Sequence, residues 1–144
     1  MIYTMGFTKK SAEVFFNKII KYNIEILIDV RLNNKSQLAG FSKGTDLSYL
    51  LAEICKCKYS HELEFAPTKE ILDKYKKKQI SWEKYAAAYN NLLVSRVVEK
   101  IFEEKYKNEN NVMFLCSEPE PDYCHRRLLA EYIGQKLNIT IVHV

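Results

Sequence analysis

Short runs of β-branched and other apolar residues alternate along this chain with longer segments whose apolar residues recur every three to four positions. That alternation fixes the class of fold before any residue is assigned a role. The short runs are Ile2 to Met5, Ile24 to Val30, Lys58 to Leu63, Val112 to Cys116 and Ile139 to Val144. Ile24 to Val30 reads Ile-Glu-Ile-Leu-Ile-Asp-Val, apolar enough to be buried on both faces, as strands of a parallel sheet are. Thr8 or Ser11 can cap a helix through Tyr22 with Val14, Phe15 and Ile19 on one face. Behind Asp46, Leu47, Leu50, Leu51 and Ile54 fall at i, i+3, i+4 and i+7 of a second helix. Ala66-Pro67-Thr68 caps a helix over Lys69 to Lys78, and Ser81 opens a longer one carrying Trp82, Tyr85, Tyr89, Leu92 and Leu93, so that a helical insert spans about 69–107. Asn110-Asn111 ends the insert, and Asp122 can cap a last helix, Tyr123 to Leu137, with Leu128, Leu129, Tyr132 and Ile133 inward. The expected architecture is an α/β fold: a single three-layer domain over 1–144 with a mostly parallel, roughly five-stranded sheet flanked by helices.

Composition narrows what such a domain does. With 144 residues, 47% apolar and 28% charged, and only 4 Gly and 3 Pro, the chain is neither collagen-like nor of low complexity. A net charge of +4 permits contact with phosphates but falls short of a nucleic-acid footprint. The opening ten residues lack the apolar stretch of a signal peptide, and no apolar run approaches the roughly 18 residues of a membrane span, so a cytoplasmic location without membrane contact is expected. In that compartment Cys55, Cys57, Cys116 and Cys124 should be thiols, metal ligands or nucleophiles before they are disulfides.

Ligands of open parallel sheets bind outside the carboxyl ends of the strands. The residues expected there are Asp29 and Arg31 after the second strand, His61 and Glu62 at the third, Cys116 and Glu118 at the fourth, and Cys124, His125, Arg126 and Arg127 opening the last helix. Thiols beside unpaired helix N–H groups and guanidinium charge suit a nucleophilic thiolate, and the same surroundings bind anions. Candidate catalytic residues are therefore Cys116, Cys124, His61 and Asp29, with Arg31, Glu118, His125 and Arg126 binding the substrate. Cys116, Cys124, His125 and His61 also form a permissible zinc set, although the seven-residue gap between the cysteines matches no standard knuckle and no ligand set is assigned. Gly40-Phe-Ser42-Lys-Gly44 has no strand before the serine, as a nucleophile elbow requires, and the chain carries neither G-x-G-x-x-G nor a P-loop, so the cofactor is unknown.

Taken together, Ile2-Tyr-Thr-Met-Gly6, Ile28-Asp-Val-Arg31 with Asn33, Asn34 and Ser36, Gly40-Phe-Ser42, Tyr59-Ser-His61-Glu62, Ala66-Pro-Thr68, Ile80-Ser-Trp82 with Tyr85, Leu115-Cys116-Ser-Glu118 and Cys124-His-Arg126 resemble the uncharacterised family known as domain of unknown function 488. The resemblance implies a compact α/β fold with a polar pocket around the Asp-Val-Arg and Cys-His-Arg motifs, and names no reaction. One departure is Phe7, where the family often has His after the opening Gly. The expected function is binding of an anionic small molecule, a nucleotide or phosphorylated metabolite, with thiol or acid-base catalysis as its enzymatic form. Two alternatives remain: a non-catalytic nucleic-acid or nucleotide binding module that also uses Lys76 to Lys78, and a metal-binding protein built on Cys and His.

Overall fold

The computed structural model describes residues 1–35 and 40–144; Ser36, among the residues carrying the family resemblance, lies outside them. Five strands form one sheet: β1 (Ile2–Gly6), β2 (Ile26–Asp29), β3 (Lys58–His61), β4 (Val112–Cys116) and β5 (Ile141–His143). Their order is β3-β2-β4-β1-β5 and every pairing is parallel. All carboxyl ends therefore lie on one edge, with Gly6 beside Cys116, Asp29 beside Leu115, and Asp29 beside His61.

Alternation along the strands sorts the core into two layers. Ile2, Ile26, Ile28, Val112, Phe114 and Cys116 pack on one face beneath helices α4 (Trp82–Arg96), α5 (Val98–Tyr106) and α6 (His125–Leu137). Tyr3, Met5, Leu27, Met113 and Leu115 pack on the other beneath α1 (Ala12–Lys21) and α2 (Gly44–Leu50). The three-layer α/β expectation holds. The short α3 (Lys69–Lys76) packs on α4.

Local chemistry explains the start of three of the six α-helices among the described residues. Ser11, Thr68 and Ser81 accept hydrogen bonds from the N–H groups of Val14, Ile71 and Lys84, capping α1, α3 and α4. Elsewhere the structure departs from the sequence expectation. Val14 is exposed, and Phe15, Phe16 and Ile19 form the buried face of α1. The second helix continues as a π-helical turn over Leu51–Cys55, whose wider step rotates Ile54 outward, so Leu51 is buried and Ile54 is not. The insert at 69–107 holds three helices rather than two, because the long helix breaks at Val97. The last helix starts at His125, with Cys124 rather than Asp122 in the N-cap position, which puts the Cys-His-Arg motif on its first turn.

Val97 joins α4 to α5 in the left-handed conformation, φ 52° and ψ 52°, where a β-branched side chain crowds its own backbone. Its N–H still closes α4 on the carbonyls of Leu93 and Val94, which any residue could do. Val97→Gly should therefore raise stability by about 1 kcal/mol. Urea denaturation should show a higher midpoint at unchanged slope; an unchanged or lower midpoint would mean that Val97 is unstrained there.

Candidate functional site

Asp29 ends β2 with no exposed surface, and such a carboxylate needs a partner. The chain supplies one two residues on. Arg31 folds back so that its Nε donates to Asp29 Oδ1 at 2.8 Å and one terminal nitrogen, Nη2, to Oδ2 at 2.6 Å, while its backbone N–H also reaches Oδ1. This fork-on-fork geometry suits guanidinium and carboxylate and no other common pair. Tyr59, one strand over, donates its hydroxyl to Asp29 Oδ2 at 2.7 Å and accepts from Asn34 Nδ2 at 3.0 Å. Burial and the negative charge of Asp29 push the Tyr59 phenol well up, so it remains a donor. Asn34 is held in turn by Gly44, whose N–H donates to its carbonyl and where a Cβ would lie 2.4 Å from its amide nitrogen. The guanidinium also donates from Nη2 to the Ser42 carbonyl at 2.7 Å and lies 5.0 Å over the ring of Phe7. Phe7 thus gives Arg31 an aromatic floor.

Among the nitrogens of Arg31, Nη1 alone has no hydrogen-bond partner among the described residues, although the side chain is 3% exposed; Nε of Arg126 and Nε of Arg127 are also without partners, but neither residue lines the cavity described below. Burial alone would pull this guanidinium down, but the hydrogen bonds and charge of Asp29 outweigh it and the net direction is up. Arg31 carries a full charge with one donor group unengaged among the described residues.

Beside it, β4 delivers Cys116 and α6 delivers Cys124 and His125, all buried. His125 Nε2 donates to the Val30 carbonyl at 2.8 Å, which assigns the ring proton to that nitrogen and turns the Nδ1 lone pair toward Cys116 Sγ, 3.7 Å away. A hydrogen bond from Cys124 lowers the Cys116 thiol pKa, against the opposing effect of burial; the charge of Arg126 and the N–H groups of Ser117 and Glu118 act in the same lowering direction. Burial, and then the hydrogen bond to and charge of Cys116, push Cys124 well up. Two adjacent cysteines are thus differentiated, one toward thiolate and one held as thiol.

The loop that shapes this pair is fastened from three sides. Arg126 donates to the carbonyls of Glu118 at 2.5 Å and Pro119 at 3.2 Å, and Thr8 Oγ1 donates to the Ser117 carbonyl at 2.6 Å. Gly6 admits the loop, since a Cβ there would sit 1.6 Å from the Glu118 carbonyl oxygen. A cavity of about 440 Å³ opens over the result, lined by Arg31, Cys116, Cys124, His125, Glu118 and Tyr85, with Lys69, Asp73, Tyr75, Lys76 and Tyr123 nearer its mouth. Tyr85, 2% exposed, contributes to the cavity wall. Burial, followed by the nearby charges of Cys116 and Cys124, keeps its hydroxyl protonated.

Of the residues singled out in the sequence, Arg31, Cys116, Glu118, Cys124 and His125 line this one cavity. Asp29 stands behind Arg31 as its counter-charge. His61 reaches the same sheet edge, but its Nε2 donates to the Arg31 carbonyl at 2.7 Å and it does not line the cavity. Arg126, 1% exposed, holds the loop rather than facing the cavity, and Glu62 accepts from Lys105 and Tyr106 on the α5 side. Tyr75 was not singled out in the sequence, and Tyr59 and Tyr85 entered only through the family resemblance, with no role at the site: Tyr85 otherwise showed a helical period, the signal of a core residue. Cys116, Cys124 and His125 place their ligand atoms within 4.8 Å of one another, close enough to hold a soft metal ion, and His61 is not among them. Among the described residues, no helix is long and apolar enough to cross a membrane.

The sequence model of the family described as domain of unknown function DUF488 matches residues 11–133, and the chain belongs to that family. No curated protein and no solved structure matches it. The Asp-Val-Arg and Cys-His-Arg motifs both fall within the matched span.

Removing Asp29 would leave a buried, uncompensated guanidinium. Asp29→Ala should destabilise the protein by about 3–5 kcal/mol, read by urea denaturation, with Asp29→Asn losing less because an amide oxygen still accepts. Loss below about 1 kcal/mol, the range of a surface pair, would mean that the ion pair is not desolvated.

Proposed function

We propose that the cavity binds a small anionic molecule through Nη1 of Arg31, next to a nucleophilic Cys116 thiolate. The observation that carries this reading is the unengaged guanidinium nitrogen: a buried donor without a partner is costly, and an anion in the cavity would satisfy it. Its other two nitrogens are fixed by Asp29 and Ser42, so the third is pre-oriented and little entropy is lost when an anion arrives. Three cations, Arg31, Lys69 and Lys76, line the cavity against two carboxylates, Asp73 and Glu118. Tyr75 and Tyr85, stacked at 4.8 Å between ring centroids, add apolar wall for the rest of such a ligand. Nucleotides and phosphorylated metabolites are within this class. The enclosure of Arg31 favours a small molecule over a nucleic-acid strand, whose phosphates engage exposed cations.

In this reading Cys116 is the nucleophile, and His125 Nδ1, 3.7 Å from its sulfur, is the neighbouring base. Alkylation tests it on the unmodified protein. Mapped by peptide, Cys116 should react with iodoacetate faster, relative to iodoacetamide, than a small free thiol does, and inorganic phosphate should protect it. Since its pKa is lowered, its thiolate fraction should rise and its alkylation rate level off below the ordinary cysteine range of about 8.5. No preference for the anionic reagent and no protection by phosphate would remove the anion site. The proximity of Cys116, Cys124 and His125 supports a second reading, a zinc-class centre, which elemental analysis of the purified protein separates: near-stoichiometric zinc would favour it.

A further inference from the structure

The cavity holds a second sulfur that the anion-binding reading does not use. Cys124 occupies the N-cap of α6, makes no capping bond, lines the same cavity as Cys116 and is buried beside it. The reacting atoms of Cys116, Cys124 and His125 all lie within 4.8 Å of one another. Both cysteines are free and their sulfurs lie within 4.8 Å, a separation that side-chain rotation can close. A nucleophilic sulfur, a resolving sulfur and a base at one point form the equipment of two-electron thiol chemistry.

From this juxtaposition we infer that Cys116 and Cys124 are a redox-active dithiol that reduces a small disulfide bearing carboxylate groups, held by Arg31. The inference rests on the anion-binding reading of the cavity. In the first step the Cys116 thiolate attacks one sulfur of the substrate R–S–S–R, forming a Cys116–S–S–R bond as the other half leaves as R–S⁻. In the second step Cys124 passes its proton to His125 Nδ1 and its sulfur attacks Cys116 Sγ. A Cys116–Cys124 disulfide forms, and the remaining half leaves as R–S⁻, taking the proton from His125. The protein loses two electrons and the substrate gains them. A dithiol reductant restores the pair by the same exchange in reverse, being itself oxidised to a disulfide.

Two features select a disulfide over a peroxide. A cavity of about 440 Å³ with aromatic walls is far larger than a peroxide needs, and a neutral peroxide would use neither Arg31 nor the lysines at the mouth. A carboxylate-bearing disulfide uses both: its acid group meets Arg31 Nη1, while its sulfur meets the neighbouring Cys116.

The first arm of the test uses the unsubstituted protein. Reduced protein is mixed with oxidised glutathione, which is anionic, or with cystamine, the cationic disulfide, and quenched samples are mapped without reduction. Oxidised glutathione should link Cys116 to Cys124 with loss of two hydrogens, at least roughly tenfold faster than cystamine does, because the cationic reagent meets Arg31. In Cys124→Ser, and independently in Cys124→Ala, the reaction should stop at a glutathione adduct on Cys116. Any of three results overturns the inference: a stable adduct on Cys116 in the natural protein, equal rates with the two disulfides, or closure of the pair by hydrogen peroxide alone. If phosphate still protects Cys116 from alkylation while the pair fails to close, the dithiol role falls and the anion site stands; if phosphate protection fails, the anion site itself is gone.

Discussion

The buried pair between Asp29 and Arg31 is the interaction on which the rest of this site depends. A carboxylate with no exposed surface and a guanidinium with 3% cannot remain charged apart, so the turn after β2 is obliged to bring them together. Once they meet, the remaining polar groups follow. Tyr59 completes the carboxylate, Asn34 completes Tyr59, Ser42 takes the second guanidinium nitrogen, and Phe7 covers its face. Four chain segments are thereby tied to one ion pair, and among the described residues one donor of Arg31 is left over. Such a donor is expensive in a purely structural role, which is why it points to a ligand.

The second half of the site comes from the sheet rather than from side-chain bonding. Parallel pairing carries Gly6, Asp29, His61 and Cys116 to the same edge, although they are scattered over more than a hundred positions of the sequence. The two arginines then divide the labour. Arg126 fixes the loop after β4 by donating to its carbonyls, and so contributes to the electrostatics of Cys116 without facing the cavity. Arg31 faces the cavity and leaves the loop alone. Because the loop rests directly on Gly6, the end of β1 acts on the shape of the thiol site without contributing a functional group.

Much of this was legible in the residues themselves. Alternating apolar runs gave the α/β class, and Asp29, Arg31, Cys116, Cys124 and His125 could be placed at one sheet edge because strand ends are readable from where β-branched runs stop. The differing duties of Arg31 and Arg126 were not legible, since both follow a motif cysteine or aspartate and only the direction of each side chain separates them. The place of Tyr85 in the cavity wall was hidden for a related reason: an aromatic residue at helical spacing reads as core, and the resemblance that includes it assigns it no role. The π turn at Leu51–Cys55 and the break at Val97 have no clear sequence signal, because both are imposed by packing against intrinsic preference.

The central claim, that Arg31 and Cys116 share one anion-binding cavity, is tested most directly by locating an anion. Diffraction data collected at the selenium edge from crystals soaked in selenate would place the heavy anion without ambiguity. The account predicts selenium bound so that an oxygen lies about 3 Å from Arg31 Nη1, over Cys116 Sγ. Selenate found only on surface lysines, with the cavity unchanged at saturating concentration, would contradict it.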